Sequence, residues 1–261
     1  MRFDYRHPKH PCGDKFMLAA GAGGTSPAWW QFYPQQDLEA ARDQLDKAVA
    51  AGAKAIVMTT DQQASYYERS LHDRHLSDAT SRGGATGGAG RPGAARAPAS
   101  PANPYRVPSG RLWYTWEYAD QIRKMVKVPL IAKGVLTAED AKEFVKRGYD
   151  AIYVSNHGGR SMDYDPATLE VLAEVVDAVP RVPVLFDGGI RNGSDIFKAL
   201  ALGARAVCLG RTIRWGLAAY GPAGVQRVLE ILQRELVQAM AQTGRSDLAS
   251  IDRTVIRTRF P

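Results

Sequence analysis

Cysteine is scarce in this chain: two among 261 residues, Cys12 and Cys208. Two alone build no disulfide framework, and neither sits in the spacing of a metal site. No metal is therefore expected, and the chain reads as one made for a reducing compartment, taken here as the cytoplasm. Long hydrophobic runs are missing as well. No stretch of about 20 apolar residues occurs, so no membrane-spanning helix is expected. Residues 16–24 are too few and too rich in Gly and Ala for the apolar segment of a signal peptide. Blocks of lysine or arginine are also absent. The net charge of +7 is spread along the chain, which argues against a nucleic-acid track and leaves a basic surface or an anionic ligand.

What is present is an alternation. With 45% hydrophobic residues the chain can build a sizeable core, and its length suits an α/β barrel, which takes about 250 residues. The leader over residues 1–28 shows no period. From Trp29 onward, apolar strand-like runs alternate with amphipathic helical stretches. Strands are predicted near residues 29, 54, 128, 150, 182 and 205. Helices are predicted after Asp37, near Thr115, after Thr137, from Asp165-Pro166, over 194–202 and over 222–243. One excursion at 79–104, rich in Gly, Ala, Pro, Ser and Arg, reads as a surface loop. Short βα loops imply parallel strands with right-handed crossovers. The fold class is thus α/β, of the eight-stranded TIM-barrel type, with six units instead of eight. The barrel domain runs over 29–261.

Polar residues gather just past the strands. Residues 150–160 form a buried-looking strand that runs into Ser155-Asn156-His157-Gly158-Gly159-Arg160. A neutral histidine accepts a proton near pH 7, and an arginine fork holds a carboxylate, so the pair suits deprotonation beside a carboxylate. Lys133 leaves the mouth of the strand near 128. Asp187-Gly188-Gly189-Ile190-Arg191 follows the strand near 182. Gly210-Arg211 follows the last strand, where backbone N–H groups and a guanidinium suit a phosphate.

Five strings taken together, Ala132–Val135, Ser155–Arg160, Asp187–Arg191, Lys198–Ala204 and Leu209–Arg211, closely resemble the FMN-dependent α-hydroxy acid oxidases and dehydrogenases. That family includes glycolate oxidase, lactate oxidase, mandelate dehydrogenase and the flavin domain of flavocytochrome b2. The resemblance spans 29–75 and 113–257. It implies FMN as cofactor and a small 2-hydroxy acid as substrate. By it, His157 would be the base, Arg160 the carboxylate clamp and Tyr33 a substrate contact. Gln31, Thr59, Lys133 and Ser155 would meet the flavin, with Lys133 beside its N1–C2 edge. Asp187, Gly188, Gly189 and Arg191 would hold the ribityl–phosphate arm, with Gly210 and Arg211 at the phosphate. Relatives are often tetrameric, and oxygen, a quinone or a cytochrome could each take the electrons without altering these strings. Other FMN-barrel chemistry, of the isoprenoid diphosphate isomerase kind, and an inactive remnant are the alternatives.

The chain departs from the family in places. Tyr67 stands where a second substrate-side arginine is expected, and the 79–104 loop replaces the family's active-site loop. The family's first two βα units have no counterpart in residues 1–28. The chain therefore reads as N-terminally truncated, with low stability and weak FMN binding expected.

Overall fold

The computed structural model of the chain describes residues 27–35, 37–61, 115–162 and 164–258. Apart from Pro27 and Ala28, the expected leader lies outside these, as do the expected loop at 79–104 and Tyr67.

Among the described residues, six strands alternate with six helices. They are β1 (Trp29–Phe32), α1 (Leu38–Ala50), β2 (Ala55–Thr59), α2 (Trp116–Met125), β3 (Leu130–Val135), α3 (Ala138–Lys146), β4 (Ala151–Val154), α4 (Thr168–Ala178), β5 (Val184–Phe186), α5 (Gly193–Ala201), β6 (Ala206–Val207) and α6 (Arg211–Gln242). Every neighbouring pair of strands is parallel, and the order across the sheet is the order in the chain. Each of the helices α1 to α5 returns the chain to the next strand position, which is how a barrel wall grows.

The sheet is apolar on both faces, so its strands read as near-continuous hydrophobic runs. Alternation sorts the residues between the faces. Phe32, Ile56, Met58, Leu130, Ile152, Val154, Val184 and Phe186 join the large core shared with the helices. Val57, Ile131, Tyr153, Leu185 and Cys208 form a separate cluster on the inner face, with Trp29 against it. Phe186 is fully buried. Phe186→Ala is expected to cost about 3–5 kcal/mol of unfolding free energy. A urea titration should show a lower midpoint with an unchanged slope.

Side chains fix where the helices begin. Asp37 accepts from the Glu39 amide at 2.9 Å, Thr115 from the Tyr118 amide at 3.3 Å and Thr137 from the Asp140 amide at 3.2 Å, each satisfying one orphan donor of a first turn. Several boundaries differ from expectation. Helix α4 starts at Thr168, because Ala167 rather than Asp165 is the residue at its cap. Strand β6 is two residues long. Helix α6 starts at Arg211, eleven residues before Pro222, and bends at Tyr220–Gly221. Gly221 takes a positive φ of 59°, and Pro222 then opens the second half, as proline does at a helix start. Among the described residues, no helix is long and apolar enough to cross a membrane.

Candidate functional site

All six strands point the same way, so their C-terminal ends share one rim. Counting by twos along the inner face brings polar groups to that rim: Gln31 after Trp29, Thr59 after Val57, Lys133 after Ile131, Ser155 after Tyr153 and Asp187 after Leu185. The strand period thus builds the site.

Contacts join most of these groups. The Gln31 amide donates to the Tyr33 hydroxyl and to Thr59 Oγ1, both at 3.1 Å. Lys133 is 5% exposed. Its Nζ donates to Ser155 Oγ at 3.0 Å and lies 5.4 Å from the centre of the Tyr153 ring. Ser155 Oγ also accepts from the His157 amide at 3.2 Å.

His157 takes a left-handed backbone, φ 57°, at a cost of roughly 1–2 kcal/mol for a non-glycine residue. That turn carries its ring away from β4 toward the end of β2. There His157 Nδ1 meets Asp61 Oδ1 at 3.0 Å, and both side chains are at most a tenth exposed. The rings of His157 and Tyr33 stand 6.3 Å apart. Asn156 closes the turn: its Oδ1 accepts from the Gly159 amide at 3.1 Å and its Nδ2 donates to the Pro166 carbonyl at 3.2 Å. Arg160 lies on this turn, half-buried, three residues beyond His157.

Toward β5 and β6 the groups are arranged differently. Thr168 Oγ1 donates to the Asp187 carbonyl at 2.7 Å. A Cβ on Gly188 would lie 2.3 Å from that hydroxyl, and its φ is 110°. Gly188 is therefore explained by packing against Thr168. Gly189 and Gly210 differ: a Cβ on either would project into open space. Gly210 is the residue at the start of α6, where no side chain caps the exposed amides. The Arg191 guanidinium lies 4.8 Å from the Trp215 ring centre and donates to the Ile190 carbonyl at 2.9 Å. Arg211 reaches across to the turn after β4 and donates to the Gly158 carbonyl at 2.6 Å.

Asp61 and Tyr153 were not singled out as site residues from sequence. Asp61 closes Met58-Thr59-Thr60-Asp61 at a buried strand end, which is the signal that could have found it. Tyr153 sits inside an apolar run and gave none. Burial, with Asp187 and Cys208 beside it, holds its phenol well above the usual range. Burial likewise pushes the Cys208 thiol up to about 11.

Comparison with known proteins decides the family. Residues 17–258 match the family described as FMN-dependent dehydrogenase. The chain belongs to that family. Within this FMN-dependent family it is 51% identical to 2-hydroxyacid oxidase 1 of Mus musculus over 144 residues, which is 55% of this chain and 39% of the relative. It is 40% identical to an L-lactate oxidase of Nostoc sp. over 235 residues, 86% of this chain and 62% of that one. Among solved structures, mandelate oxidase with (S)-2-phenylpropionate superposes with a TM-score of 0.70 at 35% identity, over 90% of this chain and 64% of that chain. A soluble mutant of the membrane-associated (S)-mandelate dehydrogenase from Pseudomonas putida gives 0.74 at 31% identity, over 92% and 68%. The chain spans about two fifths of the length of the mouse relative. These likenesses support a partial TIM barrel.

The residues present fit FMN on three observations. Lys133 brings a buried ammonium with no carboxylate in salt-bridge range among the described residues. Asp187 Oδ1 is buried and finds no hydrogen-bond donor, so it can accept from a ligand hydroxyl. Gly189 and Gly210 are exposed, a Cβ on either would meet no atom within 4 Å, and Gly210 opens α6 without a side-chain cap, so bare backbone at a helix start is available to a phosphate.

Proposed function

We propose that this chain carries the cofactor and base machinery for oxidising an L-2-hydroxy acid to its 2-oxo acid. The observation that carries the proposal is the 3.0 Å contact between His157 Nδ1 and Asp61 Oδ1, on a turn that also bears Arg160. An ionised Asp61 can only accept a hydrogen bond, so Nδ1 holds the ring proton and Nε2 keeps its lone pair. Nε2 then takes the substrate proton, and Asp61 stabilises the imidazolium that results. Arg160 pairs with the substrate carboxylate, and Tyr33, fixed by Gln31, contacts the substrate beside His157. Bound FMN supplies the two-electron acceptor. Gln31, Thr59, Lys133 and Ser155 line its ring, with Asp187, Gly189, Arg191, Gly210 and Arg211 along the ribityl–phosphate arm. A cytoplasmic homo-oligomer, tetrameric by analogy, completes the proposal.

The test is anaerobic. The chain is loaded with FMN, and glycolate, L-lactate and L-mandelate are added in turn. At least one should bleach the visible flavin band and yield one 2-oxo acid per flavin. A bound flavin that stays oxidised with every 2-hydroxy acid would overturn the proposal.

A further inference from the structure

We propose that Gly134 and Thr60 form a seat that positions Asp61 on His157, and so select which ring nitrogen of His157 carries the proton. The proposal rests on the role of His157 as base given above.

Strand β3 breaks its regular pairing at this point. The register runs Lys133 to Tyr153 and then Val135 to Val154, skipping Gly134. Regular alternation from Ile131 and Lys133 would turn Val135 to the inner face, yet Val135 joins the helix-side core. Gly134 absorbs the change with a φ of 103°, as a bulge glycine does. The carbonyl just before it, on Lys133, accepts twice from Thr60: from its amide at 2.8 Å and from its hydroxyl at 2.8 Å. The residue preceding Asp61 is thereby fastened to the residue preceding Gly134.

Asp61 then rests in the space where residue 134 has no side chain. A Cβ on Gly134 would stand 2.6 Å from both Cβ and Cγ of Asp61 and 2.9 Å from its backbone N. Those atoms are the stem of a short side chain and the main chain, so no flexible end can swing aside. Asp61 itself must move. The main chain of His157 is restrained, since its amide is held by Ser155 Oγ and its backbone is left-handed. The Asp61–His157 contact of 3.0 Å tolerates little displacement, since at about 3.6 Å it ceases to be a hydrogen bond. Glycine is thus required at 134 for its backbone angle and for its emptiness. The same peptide carries Lys133 on one side and seats Asp61 on the other.

The full-length chain, labelled with 15N and free of substrate, provides the test. Couplings from the ring protons to the two imidazole nitrogens identify the tautomer at a pH where the ring is neutral. The His157 signals are assigned by their loss in His157→Asn. The wild type should show the proton on Nδ1. Asp61→Ala should move the population toward Nε2, and Gly134→Ala should reproduce that shift while keeping a dispersed amide spectrum. Thr60→Val, which removes one of the two bonds to Lys133, should shift it part-way. A wild-type ring protonated on Nε2, or Gly134→Ala with the wild-type tautomer, overturns the proposal. Should Gly134→Ala fail to fold, an unchanged tautomer in Thr60→Val overturns it. Turnover is not needed for the measurement. A chain inert to all hydroxy acids but showing these shifts would lose only its proposed function. A chain that turns over while Gly134→Ala keeps the wild-type tautomer would lose only the seat.

Discussion

Replacing His157 with asparagine is expected to lower kcat/KM for the best 2-hydroxy acid by about 10²- to 10⁴-fold, the usual worth of a positioned general base. Asparagine is the informative replacement because position 157 is left-handed, φ 57°. Asparagine enters that region more readily than most residues, so the turn should survive and the loss can be assigned to the missing imidazole. FMN affinity should be unchanged, since the groups proposed for the cofactor lie on β1, β2, β3, the end of β4 and the rim past β5 and β6. Asp61→Asn should cost less, as the ring remains. The two effects should not add, because Asp61 acts only through His157. Stopped-flow measurement of flavin reduction under anaerobic conditions separates this step from reoxidation. Reduction within tenfold of wild type in His157→Asn would mean that another group takes the proton.

The backbone logic of this site was open to reading from the chain alone. Apolar runs at 55–59, 130–132, 151–154 and 184–186 name the strands, and the residues that follow each at a spacing of two are those on the rim. Gln31, Thr59, Lys133, Ser155 and Asp187 could all be placed by that rule. What the period does not encode is contact between loops. The partnership of Asp61 with His157 joins residues 96 apart and depends on a positive φ that only a few per cent of non-glycine residues adopt. Gly188 looked like a ligand-facing glycine within a Gly-Gly pair. Only the packing shows Thr168 occupying the space beside it, while a Cβ on Gly189 would meet open space. Arg211 belongs by sequence to the phosphate end, yet its guanidinium bonds to Gly158, because long side chains reach past their own element. The early start of α6 was hidden for another reason. Pro222 is a strong start signal, and the turns before it carry none as strong, the bend at Gly221 separating them from the rest.

Lys133 carries the second large effect, and its sign should reverse with the cofactor. The ammonium is 5% exposed and has one hydrogen bond, to Ser155, besides the face of Tyr153. Burial keeps the Tyr153 phenol and the Cys208 thiol protonated at neutral pH, so neither supplies a counter-charge. A buried charge without an ionic partner is costly, and an apolar residue of similar length removes that cost. Lys133→Met should therefore stabilise the cofactor-free chain. It should also weaken FMN, because a charge-assisted hydrogen bond worth about 1.5–3 kcal/mol disappears, equivalent to roughly 10- to 100-fold in Kd. Urea unfolding with and without saturating FMN measures both quantities on one sample. A gain without FMN and a smaller gain, or a loss, with it would mark Lys133 as kept for the ligand at the expense of the fold. Destabilisation of both forms by the same amount would make it an ordinary structural lysine, and the inner rim would lose the positive charge on which its fit to FMN depends.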